Sequence, residues 1–244
     1  MCADSVDWSR IEVLTFDCYG TLIDWEAGIL ASLQEVLGTA ATRDVGDDAL
    51  LEEYGAIESE LEGGVWQPYG SVLAQALGAV CRNHGRIPTE DQVRQFTRSV
   101  ADWPAFPDSA AALATLAERF ALGVVTNCDD DLFAASNERL GRPFSWVVTA
   151  EQVRSYKPAP KHFERALELA GTPVGALLHV AQSLYHDHVP AQRLGLRTAW
   201  IDRRHGRKGF GATPAADAQP NLVAMDMATF TEIAMGAVSH SGSR

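Results

Sequence analysis

The sequence lacks long hydrophobic runs and is short of positive charge. No stretch of about 18 residues is continuously apolar, and residues 1–10 are polar and acidic, so neither a membrane span nor an apolar signal segment is predicted. Lys and Arg number 20 against 32 Asp and Glu, a formal net charge of −12. This balance disfavours nucleic acid or an anionic membrane as a partner. We therefore expect a soluble, cytoplasmic protein that holds any anionic substrate through local cations and backbone amides.

Cysteine is also scarce, and its positions show no pairing pattern. Cys2, Cys18, Cys81 and Cys128 form no CxxC pair and no zinc-ligand spacing. Scattered thiols of this kind predict reduced side chains. Cys18 adjoins Asp17, but no local arrangement of His or Asp supports a thiol nucleophile, so that chemistry is not assigned to it.

The hydrophobic pattern changes twice along the chain. Residues 11–16 are apolar and β-branched, which predicts a buried strand, and helical spacing dominates residues 25–100. From Asp108 onward helices alternate with apolar strands, which is typical of βαβ units in a parallel sheet. The strands predicted there are 120–126, 146–149, 176–181, 197–201 and a short edge strand at 222–224. We therefore predict an α/β fold with helices on both faces of the sheet and a ligand at the carboxyl ends of the strands.

Apolar periodicity also gives the expected helices. Within residues 25–100 they are 25–37, 47–62, 69–81 and 89–100, the last with Thr89 as N-cap and Gln92 three residues later. In the rest of the chain they are 108–118, 131–140, 160–170, 187–194 and 226–235. Residues 203–221 are rich in Arg, Gly, Ala and Pro and are predicted to form a loop.

Polar residues gather at the carboxyl ends of the predicted strands. Asp17 directly follows the first strand, where a buried carboxylate is costly unless it is paired or used. Thr21 adds a hydroxyl four residues later. The other polar residues at or near such ends are Thr126, Asn127, Lys157, Gln182, Ser183 and Asp187. Because these ends meet at one edge of a parallel sheet, we expect a shared site there.

Each of these residues also has a purely structural interpretation, which the local sequence leaves open. Asp17 can bond local amides in an Asx turn, and Lys157 can be a solvated loop residue. Asp187 can be the N-cap of the helix predicted at 187–194. The acids at 129–131 are better placed than Asn127 to cap the helix that follows them, which leaves Asn127 free to face a ligand.

The segment Asp17-Cys18-Tyr19-Gly20-Thr21-Leu22 resembles motif I of the haloacid dehalogenase (HAD) superfamily, in which the first Asp is the nucleophile. The resemblance implies a Rossmann-like core, residues 1–24 and 101–244, and an inserted helical-bundle cap, residues 25–100. Phosphatase members carry a second Asp two residues after the first, and here that position is Tyr19. This departure favours the branch that attacks carbon, typified by the L-2-haloacid dehalogenases.

The other motifs of that superfamily also have counterparts. Thr126-Asn127 resembles motif II, Lys157 resembles motif III, and Asp187 resembles the last acid of motif IV. Metal-using members have Gly-Asp shortly before this acid, where this chain has Ala181-Gln182. Neutral Gln is a poor magnesium ligand. No metal and no other cofactor are therefore expected.

The leaving group stays open at this stage. Dehalogenases of this branch use an Arg on the second cap helix to receive the halide, but Gly55 occupies that place, and no Arg lies between Arg43 and Arg82. Several segments instead resemble a subgroup that includes L-azetidine-2-carboxylate hydrolase, which opens a strained ring at C2. The matching segments are 17–26, 103–108, 155–160, 183–191 and 203–213. In that case His186 or His188 could protonate the departing amine.

The resemblance thus implies a metal-independent hydrolase that displaces the C2 substituent of a small 2-substituted carboxylic acid through a covalent ester. A 2-haloacid dehalogenase and an azetidine-2-carboxylate hydrolase both fit, and a phosphatase or a catalytically silent binding protein are the rival functions. The expected partner is a small carboxylate, and a homodimer stays open. The implied catalytic residues are Asp17, Lys157, Asp187 and Thr126. The implied substrate-binding residues are Cys18, Tyr19, Thr21, Trp25, Asn127, Gln182, Ser183 and His186, with Tyr54, Trp66 and Tyr69 as further aromatic candidates on the cap.

Overall fold

The computed structural model describes residues 6–38, 45–207, 209 and 211–239, apart from the side chains of 238 and 239, so Cys2 and Arg43 lie outside the described residues. The described strands form one sheet in the spatial order β3-β2-β1-β4-β5-β6. All neighbouring strands pair in parallel, which confirms the predicted α/β fold and the edge strand at 222–224. The strands are β1 (Val13–Phe16), β2 (Ala121–Thr126), β3 (Trp146–Thr149), β4 (Leu177–Ala181), β5 (Arg197–Ile201) and β6 (Leu222–Ala224).

Strand β1 lies in the middle of the sheet and sets the position of Asp17. All of its residues are buried, because a central parallel strand covered by helices has no solvent face. Phe16 pairs with Val124 on one side and with Val180 on the other. Asp17 comes next and therefore lies at the centre of the carboxyl edge.

The first four described helices after β1 form what we call the helical insertion. They are α1 (Trp25–Leu37), α2 (Asp47–Glu62), α3 (Tyr69–Asn83) and α4 (Glu90–Arg98), followed by a 3₁₀ turn at Ser99–Asp102. Helix α4 starts with the predicted capping box of Thr89 and Gln92. Helices α2, α3 and α4 pack in succession, and α1 packs against α2 and α4.

Most of the remaining described helices contact the sheet, and the one at Asp130–Arg139 packs against the 3₁₀ turn. They are α5 (Ser109–Ala117), α6 (Asp130–Arg139), α7 (Ala150–Val153), α8 (Lys161–Ala170), α9 (Val189–Arg193) and α10 (Met227–Ser239). The helix predicted at 187–194 begins at Val189, because Leu184–His188 form a π-helical turn. None of the described helices is long and apolar enough to cross a membrane.

Asp129 links the helical insertion to the sheet. The prediction that it caps α6 is wrong, because its side chain makes no cap hydrogen bond there. Its carboxylate instead accepts hydrogen bonds from the backbone N–H of Tyr69 at 2.9 Å and of Gly70 at 3.0 Å. These amides belong to the first turn of α3, where a helix leaves its donors unsatisfied. The loop after β2 thereby fixes the start of α3 over the sheet edge.

A second link is made by residues 203–213, of which 208 and 210 are not described; we call them the crossing loop. Its Arg204 pairs with Glu26 of α1 at 2.6 Å and with Asp48 of α2 at 2.8 Å. Its Ala212 lies against Gly55 in the middle of α2, where a Cβ would be 2.2 Å from the Ala212 carbonyl oxygen. Two backbones approach so closely there that only glycine fits.

We expect Gly55→Ala to lower the free energy of unfolding by about 1–3 kcal/mol, because overpacking at a tight contact outweighs the helix propensity of alanine. Gly78→Ala in α3 is the matched control, since its Cβ would meet only the end of the Arg82 side chain, at 3.4 Å. That variant should be neutral or more stable by up to ~1 kcal/mol. Urea unfolding measures both, and equal stabilities of the two variants would contradict this packing.

Candidate active site

A buried lysine bridges two aspartates at the carboxyl edge of the sheet. Lys157 is only 2% exposed, and its Nζ donates hydrogen bonds to Asp17 Oδ1 and to Asp187 Oδ1, both at 2.8 Å. It also donates to the carbonyl of Val125 at 3.1 Å. These acceptors use all three protons of the ammonium group. The alternative of a solvated loop lysine is therefore wrong.

Thr21 holds the other oxygen of Asp17. Its hydroxyl donates to Asp17 Oδ2 at 2.6 Å and accepts a hydrogen bond from the backbone N–H of Gln182 at 2.9 Å. Both carboxylate oxygens are therefore fixed by side chains, Lys157 on one and Thr21 on the other. The Asx-turn alternative for Asp17 is wrong, because the carboxylate bonds these side chains and not local amides.

Asp187 is held by a histidine that sequence reasoning missed. His179 Nε2 lies 3.0 Å from Asp187 Oδ1, and His179 Nδ1 lies 2.9 Å from the Thr15 hydroxyl. Because His179 lies within the apolar pattern of β4, nothing in the local sequence distinguishes it from a core residue. Asp187 Oδ2 is buried and has no hydrogen-bond partner among the described residues. That oxygen is available to a water molecule or a ligand.

The π-helical turn explains why Asp187 points inward. The N-cap alternative for Asp187 is wrong, because Asp187 lies inside Leu184–His188 and before α9 begins. Ser183 caps this turn, and its hydroxyl accepts a hydrogen bond from the backbone N–H of His186 at 2.9 Å. π-Helical turns are frequent at functional sites.

Burial and ion pairing act in opposite directions on the pKa values of this cluster. Burial raises the pKa of Asp17, and Lys157 opposes that rise. Burial also favours a higher pKa for Asp187, but Lys157 and His179 outweigh it and hold that pKa well below its usual range. Burial disfavours the charge of Lys157, yet the two carboxylates raise the Lys157 pKa above its ordinary value. Asp17 is therefore the more basic carboxylate, as a nucleophile should be.

These groups face a small cavity between the sheet edge and the helical insertion. Its volume is about 40 Å³, which favours a small substrate over a nucleotide. The lining residues are Asp17, Tyr19, Trp25, Glu58, Glu62, Tyr69, Asn127, Lys157, Ser183, His186, Asp187 and Thr213. The fold thus brings most of the predicted site residues to one place.

Four predicted site residues do not line this cavity. The Cys18 side chain is buried in the apolar core, so only its main chain is left to contact a substrate. Thr126 is fully buried, and its hydroxyl has no partner among the described residues, so its predicted catalytic role is not supported. Thr21 lies behind the lining, where its hydroxyl holds the Asp17 carboxylate, and the Gln182 side chain lies 3.4 Å from the Thr213 hydroxyl.

Two of the four aromatic candidates on the insertion also fall outside the lining. Trp25 and Tyr69 line the cavity, whereas Trp66 borders a neighbouring cleft. Tyr54 lies behind the lining, where its hydroxyl donates to Glu58 at 2.9 Å. The prediction that Tyr54 and Trp66 line the site is therefore wrong.

The two histidines of the π-helical turn have different positions. His186 lines the cavity, with Nδ1 3.2 Å from the Ser183 hydroxyl and Nε2 3.8 Å from Glu62 Oε2. Burial lowers the pKa of His186 to about 4, so it is neutral near pH 7 and unsuited to the suggested role of proton donor. His188 is outside the lining, and its Nε2 lies 2.9 Å from the Ala181 carbonyl oxygen. His188 cannot serve that role either.

Two glutamates of α2 are site residues that sequence reasoning missed. Glu58 Oε1 accepts hydrogen bonds from the hydroxyls of Tyr54 and Tyr69, both at 2.9 Å. Glu62 Oε2 accepts one from Asn127 Nδ2 at 3.1 Å. Acidic residues four apart on a helix normally mark a solvated face. The one available signal was that Glu58 follows Tyr54 by four residues and so lies on the apolar stripe.

The donor set at the sheet edge does not fit a magnesium ion. The Lys157 ammonium lies between Asp17 and Asp187, where a cation shared by these carboxylates would lie. Tyr19, at the position of the usual second Asp, places its hydroxyl 3.1 Å from the Ser136 hydroxyl. Among the residues that the structure describes, no group of three or more His, Cys, Asp or Glu is arranged to hold a metal.

Solved structures with the same fold include dehalogenases. L-2-haloacid dehalogenase from Xanthobacter autotrophicus, with chloropropionic acid covalently bound, superposes with a TM-score of 0.77. The match covers 93% of this chain and 99% of that chain at 20% sequence identity. At this identity the likeness establishes the shared fold.

Sequence comparisons agree with the fold. A (S)-2-haloacid dehalogenase, H-109 of Pseudomonas putida, is 26% identical over 213 residues, 85% of this chain and 93% of the relative. Haloacid dehalogenase-like hydrolase domain-containing protein 3 of Danio rerio is 34% identical over 109 residues, 44% of this chain and 45% of the relative. The haloacid dehalogenase-like hydrolase family model matches residues 11–181, more than half of the chain. The chain therefore belongs to the family of haloacid dehalogenase-like hydrolases.

Proposed function

We propose that Asp17 is the nucleophile of a hydrolase that displaces the C2 substituent of a small 2-substituted carboxylic acid through a covalent ester. The setting of Asp17 carries this proposal. Its carboxylate is buried, oriented by Lys157 and Thr21, and shares a cavity with the unpartnered Oδ2 of Asp187. The Xanthobacter dehalogenase, with its covalently bound chloropropionic acid, supports the same type of bond.

In the first step an Asp17 oxygen bonds C2 while the electron pair of the broken bond departs with the leaving group. Lys157 and Thr21 hold the carboxylate in one orientation, which lowers the entropic part of the barrier. The dry surroundings that raise the pKa of Asp17 also make its carboxylate more nucleophilic.

In the second step water attacks the carbonyl carbon of the Asp17 ester, and the bond from this carbon to the oxygen on C2 breaks. One proton of the water ends on that departing oxygen, and the other is released as the Asp17 carboxylate forms again. Asp187 Oδ2 accepts a hydrogen bond from that water and orients it, since its low pKa makes it a weak base. Lys157 stabilises the negative charge that develops on the ester oxygen. The product is a 2-hydroxy acid, and Asp17 keeps one oxygen from water.

Two leaving groups are candidates, and different observations favour each. The similarity to (S)-2-haloacid dehalogenases favours a halide. The cavity favours a nitrogen leaving group, because its lining includes Glu58 and Glu62 but no Arg from the described part of the chain. At Gly55, the place that the sequence comparison assigned to a halide-binding Arg, the backbone of Ala212 leaves no room for a side chain. We therefore favour ring-opening hydrolysis of a strained amine such as L-azetidine-2-carboxylate.

We also propose that residues 25–100 act as a cap domain on a core formed by 1–24 and 101–244. Trp25 and Tyr69 of the helical insertion line the cavity together with Asp17, so the insertion can exclude bulk water until the ester has formed.

The thiols of Cys18, Cys81 and Cys128 are free and buried, which suits a reducing compartment such as the cytoplasm.

Asp17→Asn should abolish turnover, because an amide of equal size cannot form the ester. We expect a loss on the order of 10⁴ in kcat, as for removal of other catalytic nucleophiles. Asp131→Asn is the matched control, since Asp131 is exposed and lies outside the cavity, and its activity should be unchanged. Initial rates on L-azetidine-2-carboxylate and L-2-chloropropionate measure both variants. Residual activity of Asp17→Asn comparable to wild type would contradict the nucleophile assignment.

Activity should survive a chelator, because Lys157 already supplies the cation between Asp17 and Asp187. We expect EDTA to change the rate by less than about twofold, whereas Lys157→Met should cost on the order of 10²–10³ in kcat. Assays include a panel of phosphate monoesters with and without magnesium. Magnesium-dependent turnover of a phosphate ester, with neither carboxylate consumed, would support a phosphatase instead.

A further inference from the structure

Glu58 and Glu62 are buried carboxyls without a matching cation. Glu58 is 5% exposed and the Glu62 side chain is 6% exposed. Their hydrogen-bond donors are the neutral hydroxyls of Tyr54 and Tyr69 and the neutral amide of Asn127. Among the described residues no Lys or Arg lies within ion-pair distance of either carboxyl, and burial leaves His186, 3.8 Å from Glu62, neutral near pH 7.

Burial of the two glutamates shifts their pKa values. Burial raises the pKa of Glu58 to about 7, although hydrogen bonds from Tyr69 and Tyr54 oppose the rise. Burial also raises the pKa of Glu62 well above its usual range, and the neighbouring charge of Glu58 adds to this, whereas the charge of Lys157 and the hydrogen bond from Asn127 oppose it. Glu58 is thus partly protonated near pH 7, and a positive charge that enters would favour the ionised form of both carboxyls.

The charge balance of the whole cavity indicates which kind of group enters. Lys157 is the single Lys or Arg among the described lining residues, and Asp17 and Asp187 already neutralise it. A 2-haloacid would bring a further negative charge into this space. A zwitterion would bring a carboxylate, for which Ser183 and Thr213 offer neutral hydroxyls, together with a cation for the glutamates. Asp187 lines the same cavity, and its buried Oδ2 has no hydrogen-bond partner among the described residues, so a hydrogen-bond donor of a ligand or a water molecule can bind there.

We propose that Glu58 and Glu62 form an ammonium subsite that binds the protonated nitrogen attached to C2 of the substrate. This proposal rests on the proposed function, since it assigns the leaving group that Asp17 displaces. A protonated ring nitrogen carries two protons, and it leaves C2 as a neutral amine with the electron pair of the broken C–N bond. An unstrained ammonium is a poor leaving group, so the substrate class is a strained cyclic 2-amino acid with a three- or four-membered ring.

Two unreactive ligands of matched shape test the subsite without any chemistry. L-Proline has an unstrained ring with a charged nitrogen, and (S)-tetrahydrofuran-2-carboxylate has an uncharged oxygen in the same place. By isothermal titration calorimetry, wild-type protein should bind L-proline at least about tenfold more tightly, because only L-proline meets the carboxyls with a cation. Equal binding of the two ligands, or no binding of L-proline, would contradict the subsite.

Glu62→Gln should reduce that preference to less than about threefold, because the amide keeps the contact with Asn127 but loses the charge. Glu60→Gln is the matched control, since it makes the same charge change on an exposed position of α2, and it should keep the full preference. A preference that Glu62→Gln retains, or that Glu60→Gln equally removes, would contradict the assignment.

Proton release on ligand binding is a second measurement of the subsite. A purely structural role of Glu58 would leave it unchanged. With its pKa about 7, Glu58 is about half protonated at pH 7, and a bound cation lowers that pKa. Binding of L-proline at pH 7 should therefore release at least about half a proton, because Glu62 adds to the release from Glu58; calorimetry in buffers of different ionisation enthalpy measures the amount. The other titratable groups near the pair are Tyr54, Tyr69, Tyr156, Lys157 and His186. Glu58→Gln and Glu62→Gln should each reduce the release, and release that is unchanged in both variants would assign it to one of these groups and contradict the proposal.

The outcomes separate the two proposals. If L-proline binding shows no preference while Asp17→Asn still abolishes turnover of a 2-substituted acid, the subsite fails and the covalent mechanism stands. If Asp17→Asn retains turnover, the covalent mechanism fails whatever the ligands show.

Discussion

The ammonium group of Lys157 is the interaction on which the site depends. Without it, Asp17 and Asp187 would be two buried carboxylates at one sheet edge, and burial and mutual repulsion would make the ionised form of each unfavourable. Removing one partner from a buried ion pair typically costs ~3–5 kcal/mol. The lysine therefore offsets the charge of both carboxylates and holds Asp17 in one orientation. Its Nζ lies between the two carboxylates, so one side chain connects the β2 side of the sheet to both acids of the proposed site.

The helical insertion and the crossing loop form the wall of the cavity that lies opposite the charged sheet edge. Asp129 fixes the start of α3 through Tyr69 and Gly70, and Arg204 binds α1 and α2 through Glu26 and Asp48. The small cavity between the two walls holds an excess of carboxyl groups over cations. This size and charge are the basis of our proposal that the substrate is a small zwitterion.

The sequence was most informative where chain topology decides position. Asp17, Lys157 and Asp187 could be placed together because the ends of parallel strands meet at one edge. Glu58 and Glu62 could not, because acidic residues on a helix look the same whether they face solvent or a cavity. The contact of Gly55 with Ala212 and the inward turn at Asp187 depend on the path of the crossing loop and on a π-helical turn. Neither feature has a local sequence pattern.

The most direct test of the covalent mechanism is a single turnover in water enriched with heavy oxygen. Enzyme in excess is mixed with L-azetidine-2-carboxylate or L-2-chloropropionate, and the peptide that contains Asp17 is analysed by mass spectrometry. The mechanism predicts that this peptide gains the mass of one heavy oxygen and that the 2-hydroxy acid formed in that first turnover carries none. Label found in the product hydroxyl, with Asp17 unlabelled, would show direct attack of water on C2 and contradict the mechanism.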